Sequence, residues 1–212
     1  MSHGHSHGPH ACEHDHDESE KEDFSTAFNL HTKINDGGFN VLGEEEEGSG
    51  RKVFKNYDER QQKVDFCNTD CDPELIFNIP FTGNVKLKSF IVVGGDDNDH
   101  PIKVKLFKNQ IGMTFDDCRN KKCDQEFEIS YDPMGSLQYN VRTTKFNGVH
   151  HLTMFFTESG DEECTKIFYI GLRGEWEKTN REEVVICNYE LAANPADHKS
   201  KLYQANSSNI GH

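Results

Sequence analysis

The sequence predicts an all-β chain folded as a β-sandwich of jelly-roll type. Short apolar runs recur between turn signals, and no long run carries the spacing of an amphipathic helix. Phe, with 15 copies, far outnumbers Tyr (six) and Trp (one), which suits packed sheets because aromatic rings fit a pleated surface. The 212 residues can enclose one substantial core and are few for two large domains.

Residues 1–23, "MSHGHSHGPHACEHDHDESEKED", carry six of the twelve histidines and seven carboxylates without aliphatic periodicity. Such a segment cannot bury enough apolar surface to offset its ordering entropy, so a disordered tail is expected. His3, His5, His7, His10, His14 and His16 supply imidazole donors at high density but no preformed geometry. Adventitious divalent-metal binding is the expectation there. The folded domain is expected over residues 24–195, starting with Phe24–Leu30. Gly43–Arg60 contains four consecutive Glu residues and reads as a solvated acidic loop.

From Glu74 the texture changes. "ELIFNIPFTGNVKLKSFIVVGG" reads as two strands separated by Thr82-Gly83-Asn84. In the second, Val85, Leu87, Ser89, Ile91 and Val93 share one parity, and its end is apolar on both. "GGDDNDHP" reads as a turn. After it, Ile102, Val104 and Leu106 alternate with lysines. Further strands are predicted at 125–132, 137–146, 149–158, 165–176 and 183–191, with a polar tail at 196–212.

A net charge of -14 disfavours nucleic acid and anionic membrane surfaces as partners. No stretch approaches the roughly 20 apolar residues that cross a bilayer, and no secretory signal pattern begins the chain. The seven cysteines therefore read as mostly reduced thiols of a cytoplasmic or nuclear protein. No P-loop, dinucleotide fingerprint, HExxH or nucleophile elbow occurs, so neither an enzyme nor a cofactor is expected. Asp96, Asp97 and Asp99 lack EF-hand spacing and read as turn residues, with Ca²⁺ as the alternative. Cys67-x3-Cys71 and Cys118-x4-Cys123 read as free or redox-sensitive surface thiols, with a four-thiolate Zn site as the alternative. His150-His151 should place its rings on opposite faces of a strand. The acids Asp70, Asp72 and Glu74 are weak evidence for acid–base catalysis in so acidic a chain.

"KIFYIGLRGEW" (Lys166–Trp176) reads as a late strand leaving through a glycine corner. Gly171 and Gly174 permit positive φ or a close backbone approach. Arg173 offers its planar fork to a carboxylate across the sheet rim, and Trp176 adds an apolar plate. Structural use leads, with a partner-binding hot spot as the alternative.

Taken in order, "ELIFNIPFTGNVKLKSFIVVGGDDNDHP", "FYIGLRGEW", "VVICNYE" and "ANPADH" resemble the PITH domain family over roughly residues 24–195. That family is the proteasome-interacting module found C-terminal to thioredoxin in a thioredoxin-like protein. The resemblance implies a galactose-binding-like jelly roll with no assigned catalytic centre. It also implies a non-enzymatic interaction module that associates with the 26S proteasome regulatory particle or a related regulatory complex. The WCGPC dithiol is missing, so the relative's redox activity is not implied. Arg173 and Trp176 become candidate interaction residues. So does His212, whose imidazole and carboxylate end the chain as a His ends the thioredoxin-linked relative, in reach of a metal in a partner. A monomer is expected. The alternatives are a small-ligand or carbohydrate module rimmed by Gly95–Asp99, and a thiol-based redox protein.

Overall fold

The computed structural model describes residues 1, 29–70, 72–96, 98–160 and 163–178. The His-rich tail, residues 24–28, Cys71, Asp97, the strand expected at 183–191, and the C-terminal tail with His212 lie outside the described residues. Among the described residues eight strands form in order: β1 (Asn40–Leu42), β2 (Cys67–Asn68), β3 (Leu75–Gly94), β4 (Pro101–Lys108), β5 (Gln125–Glu128), β6 (Tyr139–Asn140), β7 (Val149–Ser159) and β8 (Lys166–Glu177). Two short α-helices join them among the described residues, α1 (Ser49–Lys52) and α2 (Phe115–Asn120). Every strand pairing is antiparallel, in the order β2-β8-β3-β7-β4-β5, with β1 and β6 also paired to β3.

The two strands expected between Glu74 and Gly95 are one strand of 20 residues. Thr82-Gly83-Asn84 does not turn, because exposed Thr82 and Asn84 flank buried Gly83 and continue the alternation. The register instead shifts between Pro80 and Val85. Leu75–Pro80 pairs with β7, while Asn84–Gly94 pairs with β8. β3 thus belongs to both layers of the sandwich and makes its corner by bending. Pro80 sits at the irregularity, where a missing N–H costs least. Gly83 is required there: a Cβ would lie 2.4 Å from the Glu177 carbonyl oxygen and 2.6 Å from Trp176 Nε1.

Between the layers lies the main core. Phe77 meets Phe156 and Phe54 edge-on at 5.8 and 5.7 Å, and Phe90 meets Phe127 at 5.0 Å and stacks on Tyr139 at 5.2 Å. Each such pair contributes about 0.5–1.5 kcal/mol beyond its area burial. Both layers are also covered outside. Ile76, Phe107 and Phe155 pack under Met113 and Cys118, while Ile91, Val93, Phe168 and Tyr169 pack under Tyr57. This second cover explains why "LIF" and "FIVV" are apolar on both parities.

Other elements depart from expectation. Ile102 is exposed, because register shifts around Lys103 give its inward place to Pro101. The strand expected over 137–146 shrinks to Tyr139–Asn140; a turn closed by Lys145 and Phe146 N–H groups on the Arg142 carbonyl then buries Phe146. Gly43–Arg60 is not merely a solvated loop, since it buries Val53 and Phe54. Glu44 explains why: its carboxylate accepts from Gly48 N (2.8 Å), Gly50 N (2.7 Å) and Ser49 Oγ (3.2 Å), satisfying first-turn donors of α1.

The glycine corner is also absent. β8 runs unbroken through Gly171-Leu172-Arg173-Gly174, paired to β3 throughout. The glycines serve close approach instead. Tyr169 lies back over Gly171, where a Cβ would stand 2.5 Å from its hydroxyl oxygen. At Gly174 a Cβ would stand 2.4 Å from the Lys86 carbonyl oxygen, beside the register shift between Leu87 and Ser89.

Candidate protein-interaction surface

On β8, even-numbered side chains from Ile170 to Trp176 face the main core, so Arg173 projects from the outer face. Its partner is not the expected carboxylate. Arg173 Nη1 donates to Gln138 Oε1 at 3.1 Å, and Gln138 Nε2 in turn donates to buried Ser89 Oγ on β3. Its guanidinium also lies 5.5 Å from the centre of the Tyr57 ring. Arg60 approaches the same ring at 3.9 Å and donates to the Tyr57 and Met134 carbonyl oxygens, both at 3.1 Å. Tyr57 therefore has two guanidinium neighbours. Among the described residues neither Arg lies within ion-pair distance of a carboxylate, although the chain is strongly acidic.

The loop carrying Met134 is built from "DPMGS". Asp132-Pro133-Met134-Gly135 closes a turn through Gly135 N and the Asp132 carbonyl oxygen (3.3 Å), with Pro second and Gly fourth as such turns favour. Gly135 has φ +63°, and a Cβ there would stand 2.9 Å from Val93 and 3.0 Å from Arg60. The buried Asp132 carboxylate accepts from Met134 N (3.2 Å), Ser136 Oγ (3.2 Å) and Leu137 N. A loop stapled from within holds its tips outward. Tyr131, Met134 and Leu137 are 51, 56 and 43 % exposed, and the nearby Val64 and Phe66 are 80 and 40 % exposed. The two exposed segments are tied by Asp96, which takes Lys63 at 2.6 Å and the Tyr131 hydroxyl at 3.2 Å. The Lys63 hydrogen bond, followed by that of Tyr131, holds the Asp96 carboxyl below its usual range.

The remaining predicted residues disperse. Trp176 packs at the core margin against Gly83, with Lys33 Nζ 4.5 Å from its ring centre and a buried Nε1 that lacks a hydrogen-bond partner. Cys67 and Cys118 are buried rather than at the surface; burial pushes their thiols up to about 12 and about 11. Cys123 is half-buried, and Cys71 lies outside the described residues. Asp99, on the expected ligand rim, faces Lys166 at 3.8 Å and accepts from Cys164 Sγ at 3.6 Å. His150 is exposed and His151 buried, as opposite strand faces require. Asp70, Asp72 and Glu74 line a shallow pocket with Gly43, Phe115 and Arg119, but Glu74 is gripped by the Arg119 fork (Nε–Oε1 3.0 Å). Among the described residues, no group of three or more His, Cys, Asp or Glu converges as metal ligands.

The PITH domain family matches residues 20–193, most of the chain and all the strands above. The chain belongs to the PITH family. A PITH domain-containing protein of Drosophila pseudoobscura pseudoobscura is 48% identical over 204 residues, covering 96% of each chain. PITH domain-containing protein 1 of Homo sapiens is 46% identical over 200 residues, covering 94% of each. Among solved structures, the CBM32-1 and CBM32-2 domains of Clostridium perfringens ZmpB align with a TM-score of 0.52 at 8% identity, over 76% of this chain and 40% of theirs. That likeness is one of fold: this PITH domain is a galactose-binding-like β-sandwich jelly roll. Sequence reasoning identified Arg173 but missed Tyr57, Arg60 and the 131–137 loop. The signal present was Asp-Pro-x-Gly, a turn signature inside a segment divided between two expected strands.

Proposed function

We propose that this PITH domain is a non-catalytic protein-interaction module that docks on the proteasome regulatory particle. Membership in the PITH family supports the interaction role. The observation that carries the reading is the outer face of β3 and β8, where stapled, exposed Tyr131, Met134 and Leu137 adjoin two arginines on one tyrosine. Large apolar side chains and Arg held outward at such exposure are the usual anchors of protein partners. Burial of Cys67 and Cys118 disfavours the thiol-redox alternative, because a thiolate is the reactive form.

Co-sedimentation tests the partner. Purified chain should travel with intact 26S proteasome and not with the isolated 20S core. Failure to travel with 26S particles at micromolar concentration overturns the proteasome assignment.

A further inference from the structure

Each arginine on Tyr57 has hydrogen-bonding capacity to spare. A guanidinium carries five N–H donors; Arg60 directs two at carbonyl oxygens and Arg173 one at Gln138. Their positions are fixed from behind. Ser89 holds Gln138, Gln138 holds Arg173, the Met134 carbonyl holds Arg60, and the Tyr57 ring lies against both guanidinium groups. Glu59, the nearest acid by sequence to Arg60, is engaged elsewhere, its carboxylate accepting from Asn56 N at 3.3 Å. The two cations therefore sit preorganised beside the exposed side chains of Met134 and Leu137.

We propose that this stack is a carboxylate receptor: the paired forks of Arg60 and Arg173 bind an Asp or Glu side chain of a protein partner. Met134 and Leu137 receive an apolar residue next to that acid in the partner's chain. The occupant is thus an extended acidic–apolar peptide segment. Charge complementarity selects it, because an ordinary carboxylate meets two guanidinium groups that form no ion pair among the described residues, and bidentate Arg–carboxylate bonds are among the strongest exposed contacts. The inference rests on the interaction-module reading but does not require the proteasome as partner.

A random twelve-residue peptide library displayed on phage and selected against the folded chain tests it without assuming a partner. Enriched sequences should carry Asp or Glu next to Leu, Ile, Phe or Met. The best synthetic peptide should bind about 10- to 100-fold more weakly to the Arg60→Gln/Arg173→Gln variant, the change expected for losing charge-assisted hydrogen bonds. Replacing the peptide's acid by Gln or Asn should have a similar effect. Arg173→Lys keeps the charge without the fork and should bind at an intermediate level while remaining folded under the binding conditions. Selection without acid enrichment, or equal peptide binding by the double variant, overturns the proposal. Co-sedimentation failing while acid selection succeeds removes the proteasome assignment and leaves the receptor standing.

Discussion

Gly174→Ala isolates the claim that the glycines of β8 exist for close approach. The added methyl would stand 2.4 Å from the Lys86 carbonyl oxygen, 3.0 Å from Leu87 Cα and 3.1 Å from the Lys86 carbonyl carbon. All three atoms belong to the β3 backbone, so no side chain can swing aside. To restore even a 3.0 Å contact the strands must separate by about 0.6 Å, beside a register shift that already interrupts the ladder. Overpacking of this kind costs about 1–3 kcal/mol. For a domain of this size that lowers the melting temperature by about 2–4 °C per kcal/mol. Gly37→Ala is the control. Its Cβ would have only Asn35 Oδ1 within 4 Å, at 3.4 Å, and the smaller entropy of the unfolded chain should leave stability equal or raised by about 0.4–1 kcal/mol. Urea unfolding followed by circular dichroism measures both. A Gly174→Ala midpoint equal to or above that of Gly37→Ala would refute the close approach.

Acid should weaken the fold before carboxylates titrate. In His31, His100 and His151 burial lowers the pKa below the ordinary 6.5, and each has a buried Nδ1 without a hydrogen-bond partner. The unfolded chain then binds more protons than the native one, so stability is complete above pH 6.5 and is lost as pH falls through the lowered folded values. The urea midpoint should drop between pH 7 and pH 5, and His151→Leu should flatten the drop; a constant wild-type midpoint over that interval contradicts the burial account. Thiol chemistry should be ranked by burial. Iodoacetamide at pH 8 should label half-buried Cys123 well before Cys67 and Cys118, which react only on unfolding, as mass spectrometry of digests reports. Labelling of Cys67 at the rate of Cys123 contradicts it.

The sandwich was legible because β4, β7 and β8 are apolar runs bounded by turn signals, and each forms a strand within a residue of its expected bounds. The length of β3 was not, because its identity as one strand depends on which partners claim each half. Local polarity at Thr82-Gly83-Asn84 resembles a turn, and only β7 and β8 together show it to be a corner. Ile102 illustrates the same limit: a bulge reverses parity without leaving a mark in the residue pattern. Arg173 was legible as an outward cation, but its neighbours come from segments 35 and more than 100 residues away in sequence. Long-range convergence of that kind has no sequence spacing to read. Glu44 failed for the opposite reason, since a run of four Glu hides the one whose carboxylate holds α1.

The most direct measurement is the affinity of purified proteasome regulatory particle for the wild-type chain and for Arg60→Gln/Arg173→Gln, read by biolayer interferometry alongside the urea midpoint of each. The account predicts saturable wild-type binding and a double variant that binds about 10- to 100-fold more weakly while its urea curve shows it fully folded under the binding conditions. Equal affinities would contradict the assignment of this face, and absence of wild-type binding would contradict the assignment of the partner.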